Sequence, residues 1–230
     1  MWRVLNGGKI REVAPLTKKV FLASELPDDA RMKVIEEYRW INVDYEWWRD
    51  IIGEFTAHME EAYGACLEHE KIEFDLSGRG WVKYRGEFWL DVHKCCDSVE
   101  TLREIRSLIA SAATLEPQAA KKIEGLVMES MTLHYTGGRI EISWSLYEDG
   151  LTDPFDVLAS ILQNERYASL PDKLEAELEG LISDEFQKLL HRLKSEFETL
   201  ISDECVVETL DANGFQFTED GDPVFGGARL

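Results

Sequence analysis

Apolar residues recur along this chain with two different periods. Steps of three and four residues, typical of amphipathic helices, predict helices at 27–40 and 45–67 and in a long C-terminal region from Pro171 to about Asn213. Two more helices, separated near Pro117, are predicted between residues 98 and 130. Gly180 and Ser183 are expected to break the C-terminal region, and Ser202 to cap a last short helix.

Two other segments alternate apolar and polar residues, which is the period of a β-strand. Each contains a glycine-rich turn, "SGRG" at 77–80 and Gly137-Gly138, so each predicts an antiparallel hairpin. Short strands or extended arms are predicted within the first 26 residues, in "WRVL", "REVAPL" and "KVFLA". The pattern therefore predicts an α+β fold in which an antiparallel sheet built from two hairpins packs against several helices. We expect residues 1–170 to form the α+β core and residues 171–230 a C-terminal helical region and acidic tail, packed together as one domain.

The apolar runs are too short to span a bilayer, and the N-terminus lacks the apolar block of a signal peptide. These features indicate a cytoplasmic protein. The four cysteines form no CxxC pair, so reduced thiols are expected in that compartment.

The segment "WINVDYEWWRDIIGEF" at 40–55 opens the second predicted helix, with Asp44 as its expected N-cap. A helix from Tyr45 to Leu67 would bury one stripe, composed of Trp48, Ile52, Phe55, Met59, Ala62 and Cys66. The opposite face would carry a row of carboxylates, composed of Glu46, Asp50, Glu54, Glu61 and Glu68. Only Arg49 is near enough in sequence to offset them, and Trp47 lies between the two faces. This row is either a recognition surface or an ordinary solvated face.

The formal net charge is −20, which disfavours nucleic acid and anionic membranes as direct ligands. Residues 171–222 contain fifteen Asp/Glu and four Lys/Arg, and their densest acidic part is "SDECVVETLDANGFQFTEDGD", which begins at Ser202. The charge favours a basic protein surface as partner, although solubility alone is an alternative explanation. The predicted partner-binding residues are Glu46, Trp47, Asp50, Glu54, Glu61, Glu68, Asp203 and Glu204.

Catalytic motifs are absent, and we expect neither an enzyme nor a cofactor: HExxH, GxSxG, a P-loop and GxGxxG do not occur. The best metal candidate is "DVHKCC", because Asp91, His93 and Cys95 would share one face of a strand. A fourth ligand would have to come from elsewhere, and satisfied polar residues at a strand end are the alternative.

Four segments resemble a known family: "EEYRWINVDYEWWRD", "FDLSGRG", "YRGEF" and "SDECVVETLDANGFQFTEDGD". The family consists of uncharacterised bacteriophage and mobile-element proteins, some labelled antitoxin of a toxin–antitoxin stability system. The resemblance covers residues 27–92 and 171–222, and its most specific parts are Asn42 to Trp48 and Phe217 to Gly221. It implies a mobile-element accessory protein that neutralises another protein, and it assigns no residue a role.

The leading hypothesis is an acidic, phage-type inhibitor that binds a basic, nucleic-acid-handling protein in the host cytoplasm. The target would be a defence nuclease, a CRISPR effector or a toxin, and carboxylates would occupy sites meant for phosphates. The alternatives are a small enzyme or metal-binding protein with a site near Asp91, His93 and Cys95, or a structural or assembly component of a phage particle.

Overall fold

The computed structural model describes residues 5–6, 9–10, 19–129, 131–144 and 154–224. The helices are α1 (Asp28–Tyr38), α2 (Arg49–Tyr63), α3 (Val92–Cys95), α4 (Glu100–Leu115), α5 (Pro117–Glu124), α6 (Pro154–Ile161), α7 (Leu170–Leu200) and α8 (Asp203–Ala212). The strands are β1 (Leu5–Asn6), β2 (Lys9–Ile10), β3 (Ile72–Asp75), β4 (Trp81–Tyr84), β5 (Glu87–Leu90), β6 (Met131–Thr136) and β7 (Arg139–Trp144). Short 3-10 turns occupy Ala23–Glu25, His69–Lys71 and Glu165–Ser169, and a π-helical turn occupies Gly125–Glu129.

The α+β class is confirmed, and both hairpins form. The β3–β4 hairpin is a two-stranded antiparallel sheet, and β6–β7 belongs to a three-stranded sheet with the order β5-β6-β7. The hairpins therefore lie in separate sheets, because the chain leaves β4 at Arg85 and Gly86 and β5 pairs with β6 instead. Gly137 and Gly138 have φ of 57° and 91°, as the two-residue turn of a hairpin requires.

The chain divides into two compact units. The first unit contains residues 1–47 and 196–230, and the second contains residues 48–195. This division differs from the expected boundary at residue 170, which is the first residue of α7.

The first unit has its own apolar core. Buried residues from the N-terminal part, from α8 and from the segment after α8 come together, namely Ala23, Leu26, Ala30, Val34, Val206, Leu210 and Phe217. Phe21 and Phe217 exchange two backbone hydrogen bonds of 2.9 Å, which join the N-terminal part to the segment after α8. Gly221, at φ 80°, lies against α1 so closely that a Cβ atom would be 2.9 Å from the Ala30 carbonyl oxygen. The "TEDG" turn therefore requires glycine at this position.

The second unit is organised around α7. Its buried stripe follows the predicted helical period and is formed by Leu174, Leu178, Ile182, Phe186, Leu189 and Leu193, whereas Phe197 and Leu200, which continue that period, are only half-buried. Phe186 packs against Phe55 of α2 with ring centroids 5.3 Å apart. Glu177 accepts backbone hydrogen bonds from Glu100 and Thr101, so that it satisfies free N–H groups at the start of α4.

The expected break of the C-terminal helix at Gly180 and Ser183 is wrong, because α7 runs through both residues. A glycine costs a helix about 1 kcal/mol relative to alanine, and the long buried stripe outweighs that cost. The Ser202 cap is confirmed, since its hydroxyl accepts a hydrogen bond from the Cys205 amide.

Of the predicted N-terminal strands, "WRVL" and "REVAPL" lie almost wholly outside the described residues. The third, "KVFLA" at 19–23, forms an isolated antiparallel bridge between Phe21 and Phe217 and ends at Ala23, the first residue of a 3-10 turn. Leu146, the expected end of the second hairpin, also lies outside them. Across the described part of the chain, we find no helix with the length and apolarity needed to traverse a bilayer. All four cysteines are unpaired, with Cys95 and Cys96 buried and Cys66 exposed.

Candidate functional site

The second helix is shorter than expected. It begins at Arg49 and ends at Tyr63, so the predictions of an Asp44 cap and of a helix over 45–67 are wrong. Residues before Arg49 are held in turns by contacts within the first unit. The Asn42 amide donates to the Leu200 carbonyl at 3.0 Å, and the Arg39 guanidinium donates to the Ile201 carbonyl at 2.9 Å. These long-range hydrogen bonds override the local helical pattern.

The carboxylate row is consequently interrupted. Only Asp50, Glu54 and Glu61 lie on α2, and all three are exposed; we call them the α2 acidic face. Glu46 and Trp47 belong to the first unit, whereas Glu68 follows the helix. The buried stripe is likewise shortened, because Trp48 is half-buried against Phe74 and Cys66 is exposed beyond the helix.

Basic side chains also neutralise part of the row. Arg192 of α7 forms an ion pair with Glu54. Lys71 pairs with Glu68 at 2.7 Å, and this hydrogen bond is the main cause of a raised pKa for the Lys71 ammonium. The expectation of an uncompensated row from Glu46 to Glu68 is therefore wrong.

A different acidic surface occurs within the first unit. Trp40 and Tyr45 are 57% and 64% exposed, which is unusual for large aromatic side chains. Trp40 and Trp47 both pack against Phe197, with ring centroids 6.1 Å and 5.8 Å apart. The aromatic cluster thus joins the turns after α1 to the last residues of α7.

Carboxylates dominate the two contacting segments, 36–47 and 196–204. These segments contain one Lys/Arg, Arg39, and eight Asp/Glu that are all exposed: Glu36, Glu37, Asp44, Glu46, Glu196, Glu198, Asp203 and Glu204. We call these eight residues, together with Trp40, Tyr45, Trp47 and Phe197, the aromatic–acidic surface. It contains four of the predicted partner-binding residues, namely Glu46, Trp47, Asp203 and Glu204.

Arg39 organises part of this surface. Its guanidinium pairs with Glu36 and, at 3.0 Å, with Asp203. The hydrogen bond from Arg39 lowers the pKa of the Glu36 carboxyl, and both acidic partners raise the pKa of Arg39. The Glu36 carboxylate therefore stays ionised at neutral pH, and Arg39 links it to Asp203 across the two segments.

The predicted metal site does not form. Asp91 follows β5 and caps α3, where its carboxylate accepts from the His93 and Lys94 amides at 2.8 Å and 3.2 Å. The expectation that Asp91, His93 and Cys95 share a strand face is wrong, because residues 92–95 are helical. Burial, with the nearby charges of Asp91 and Cys96, raises the pKa of the Cys95 thiol to about 12, so it is a poor metal ligand. Within the described ranges, no three His, Cys, Asp or Glu residues are grouped to hold a metal ion.

The second unit contains a buried carboxylate that was not predicted from the sequence. Glu185 is 4% exposed and accepts hydrogen bonds from the Tyr63 hydroxyl at 3.0 Å and the Lys188 ammonium at 2.7 Å. The His58 ring nitrogen lies 3.4 Å from its other oxygen. At 100° per residue Glu185 lies within the arc of the apolar stripe of α7, and this position in the sequence could have indicated that it is buried.

The pKa values of this buried group reflect competing causes. Burial alone would raise the pKa of Glu185, but hydrogen bonds from Lys188 and Tyr63 outweigh burial and lower it. Burial and the bond to Glu185 raise the pKa of Tyr63 to about 12. Glu185 finds its hydrogen-bond donors, Tyr63 and Lys188, within the second unit. We therefore interpret it as a structural link between α2 and α7.

No protein-family model matches this chain, and no curated protein or solved structure matches it either. The resemblance to the bacteriophage and mobile-element family therefore stays a prediction.

Proposed function

We propose that this protein is an acidic inhibitor that binds the basic surface of a nucleic-acid-handling protein through its aromatic–acidic surface. The observation that carries the proposal is the combination of exposed Trp40 and Tyr45 with eight exposed carboxylates in two contacting segments. Large exposed aromatic side chains are typical anchors of protein interfaces. The surrounding negative charge favours a partner with a positively charged surface.

The two components have different physical roles. The carboxylates attract a groove rich in lysine and arginine over a distance of about 10 Å at moderate salt, and they take the places of phosphate groups. The aromatic rings bury apolar area at close range and offer their faces to the cations of the partner. Charge thus accelerates the encounter, and the rings hold the complex together.

Nucleic-acid-binding grooves have the chemistry that this surface requires, since they present dense positive charge to a polyanion. The proposed target is a defence nuclease, a CRISPR effector or a toxin. Inhibition is by occupancy of the groove and needs no catalysis. In this proposal the α2 acidic face adds to the overall field but makes no essential contact.

The test uses capture from a bacterial lysate by three immobilised proteins: wild type, a Trp40→Ala/Tyr45→Ala double variant, and a Trp89→Ala control. Trp89 is matched to Trp40, because it is also 57% exposed but lies on β5. We expect wild type and control to retain a protein that the double variant loses. Rising salt and added duplex DNA should release it. Equal retention by the double variant, or retention that DNA does not disturb, would contradict the proposal.

A further inference from the structure

Among the described residues, strand β7 lies at one edge of its sheet, which has the order β5-β6-β7. Its register with β6 pairs Thr136 with Arg139 across the Gly137-Gly138 turn. In a two-residue hairpin this first pair is hydrogen-bonded, and hydrogen-bonded pairs alternate along the ladder. The amide and carbonyl groups of Ile140 and Ile142 therefore point away from β6, toward the other side of β7.

A trough of about 650 Å³ runs beside this edge. It is lined by four consecutive residues of β7, Arg139 to Ile142, and by Glu175 and Glu179 of α7. Glu179 confirms the direction of the edge groups, because its carboxylate accepts a hydrogen bond from the Ile140 amide at 3.2 Å. The lining holds three carboxylates, Glu141 included, and one guanidinium.

We propose that this trough binds an extended basic peptide segment of another protein, which adds to β7 as a fourth antiparallel or parallel strand. The outward amide and carbonyl of Ile142 and the outward carbonyl of Ile140 supply the backbone bonds, as in other cases of strand addition. Glu175 and Glu179 supply the charge complementarity that selects lysine and arginine.

The spacing of the acidic groups fits such a peptide. Alternate residues of a strand are about 6.8 Å apart on one face, and one turn of helix separates Glu175 from Glu179 by about 5.4 Å. Flexible lysine side chains at alternate positions span that difference. All lining residues belong to the second unit, so this site is independent of the aromatic–acidic surface and of the function proposed for it.

The probe is a nine-residue peptide of alternating lysine and valine with blocked ends, and its binding to the full chain is followed by fluorescence anisotropy. A Glu175→Gln/Glu179→Gln variant should bind it about fivefold more weakly, since each exposed ion pair contributes modestly. The glutamine at 179 retains an acceptor for the Ile140 amide. A matched Glu116→Gln/Glu124→Gln variant removes the same charge from exposed positions of the α4–α5 region and should change affinity less than about twofold.

The backbone contribution is tested separately with Ile142→Pro, which removes an outward N–H but no bond to β6. We expect affinity to fall about tenfold or more in this variant. Amide hydrogen exchange in the wild type gives a readout that needs no variant: the peptide should protect the Ile142 amide and leave the β6-paired Glu141 amide unchanged.

The proposal is overturned if the peptide does not bind, or if it binds without protecting the Ile142 amide. It is also overturned if a peptide with proline in place of alternate valines binds equally well, because that result would reduce the site to nonspecific charge.

Discussion

The α2 acidic face and the aromatic–acidic surface are made of the same residue types, yet they differ in what the fold places beside them. On α2, Glu54 meets Arg192 of α7, and the adjacent Trp48 packs against Phe74. On the aromatic–acidic surface, eight exposed carboxylates lie in segments that contain one basic residue, Arg39, and Trp40 stays exposed.

The difference shows that charge density along a sequence does not measure charge available to a partner. A carboxylate that meets a cation inside its own fold contributes to structure, and its field is reduced at long range. Segments 36–47 and 196–204 hold eight exposed carboxylates and one basic residue, so the aromatic–acidic surface keeps a net negative charge. The aromatic–acidic surface is therefore the better candidate for recognition.

The largest expected effect is on stability, when a carboxylate that pairs inside the fold is removed. A Glu185→Ala variant leaves the Tyr63 hydroxyl and Lys188 without their buried acceptor, and we expect it to lower the free energy of unfolding by about 3 kcal/mol. Glu198→Ala on the same helix removes an exposed carboxylate and should change it by less than about 0.5 kcal/mol. Urea denaturation of both variants measures the two values, and equal losses would contradict the distinction.

A smaller effect is expected from pH. The folded-state pKa of Glu185 is below its ordinary value of 4.5, so the carboxylate contributes stability above the unfolded pKa. That contribution is lost as pH falls through the lowered folded value. Wild type should therefore lose stability below about pH 4.5 more steeply than Glu185→Gln, as measured by urea denaturation at a series of pH values. Parallel profiles would show that Glu185 titrates alike in both states.

The smallest effect is expected at Arg192. An Arg192→Ala variant removes the partner of Glu54 and makes the α2 acidic face resemble the other surface in charge. Because both side chains are exposed, the loss of stability should stay below about 1 kcal/mol. Thermal denaturation at low and high salt measures this loss, and a loss that persists unchanged in high salt would show a role beyond charge pairing.

Local signals in the sequence were sufficient for much of the fold. Gly137-Gly138 predicted the β6–β7 turn, Pro117 predicted the start of α5, and Ser202 predicted the cap of α8. Each is a preference of a few adjacent residues, and the structure confirms all three. The alternation of apolar and polar residues in β6 and the apolar stripe on α7 could also be predicted, because burial on one face imposes a period on the sequence.

The failed predictions involve partners distant in sequence. Asn42 bonds the Leu200 carbonyl 158 residues away, and this contact belongs to the turns that replace the expected start of α2. Arg192 reaches Glu54 across 138 residues, so no local charge pattern could indicate their pairing. The exposure of Trp40 and Tyr45 could not be predicted either, since an aromatic residue next to acidic ones fits a core position or an interface equally well.

The central claim is that the aromatic–acidic surface, and not the α2 acidic face, meets the partner. The most direct test compares two matched triple charge reversals, Glu37→Lys/Glu46→Lys/Glu198→Lys on the first and Asp50→Lys/Glu54→Lys/Glu61→Lys on the second. Their affinities for the captured partner are measured by calorimetry after circular dichroism confirms folding. The account predicts a loss of about 100-fold or more for the first variant and less than about tenfold for the second. Loss of binding by the second variant with retention by the first would contradict it.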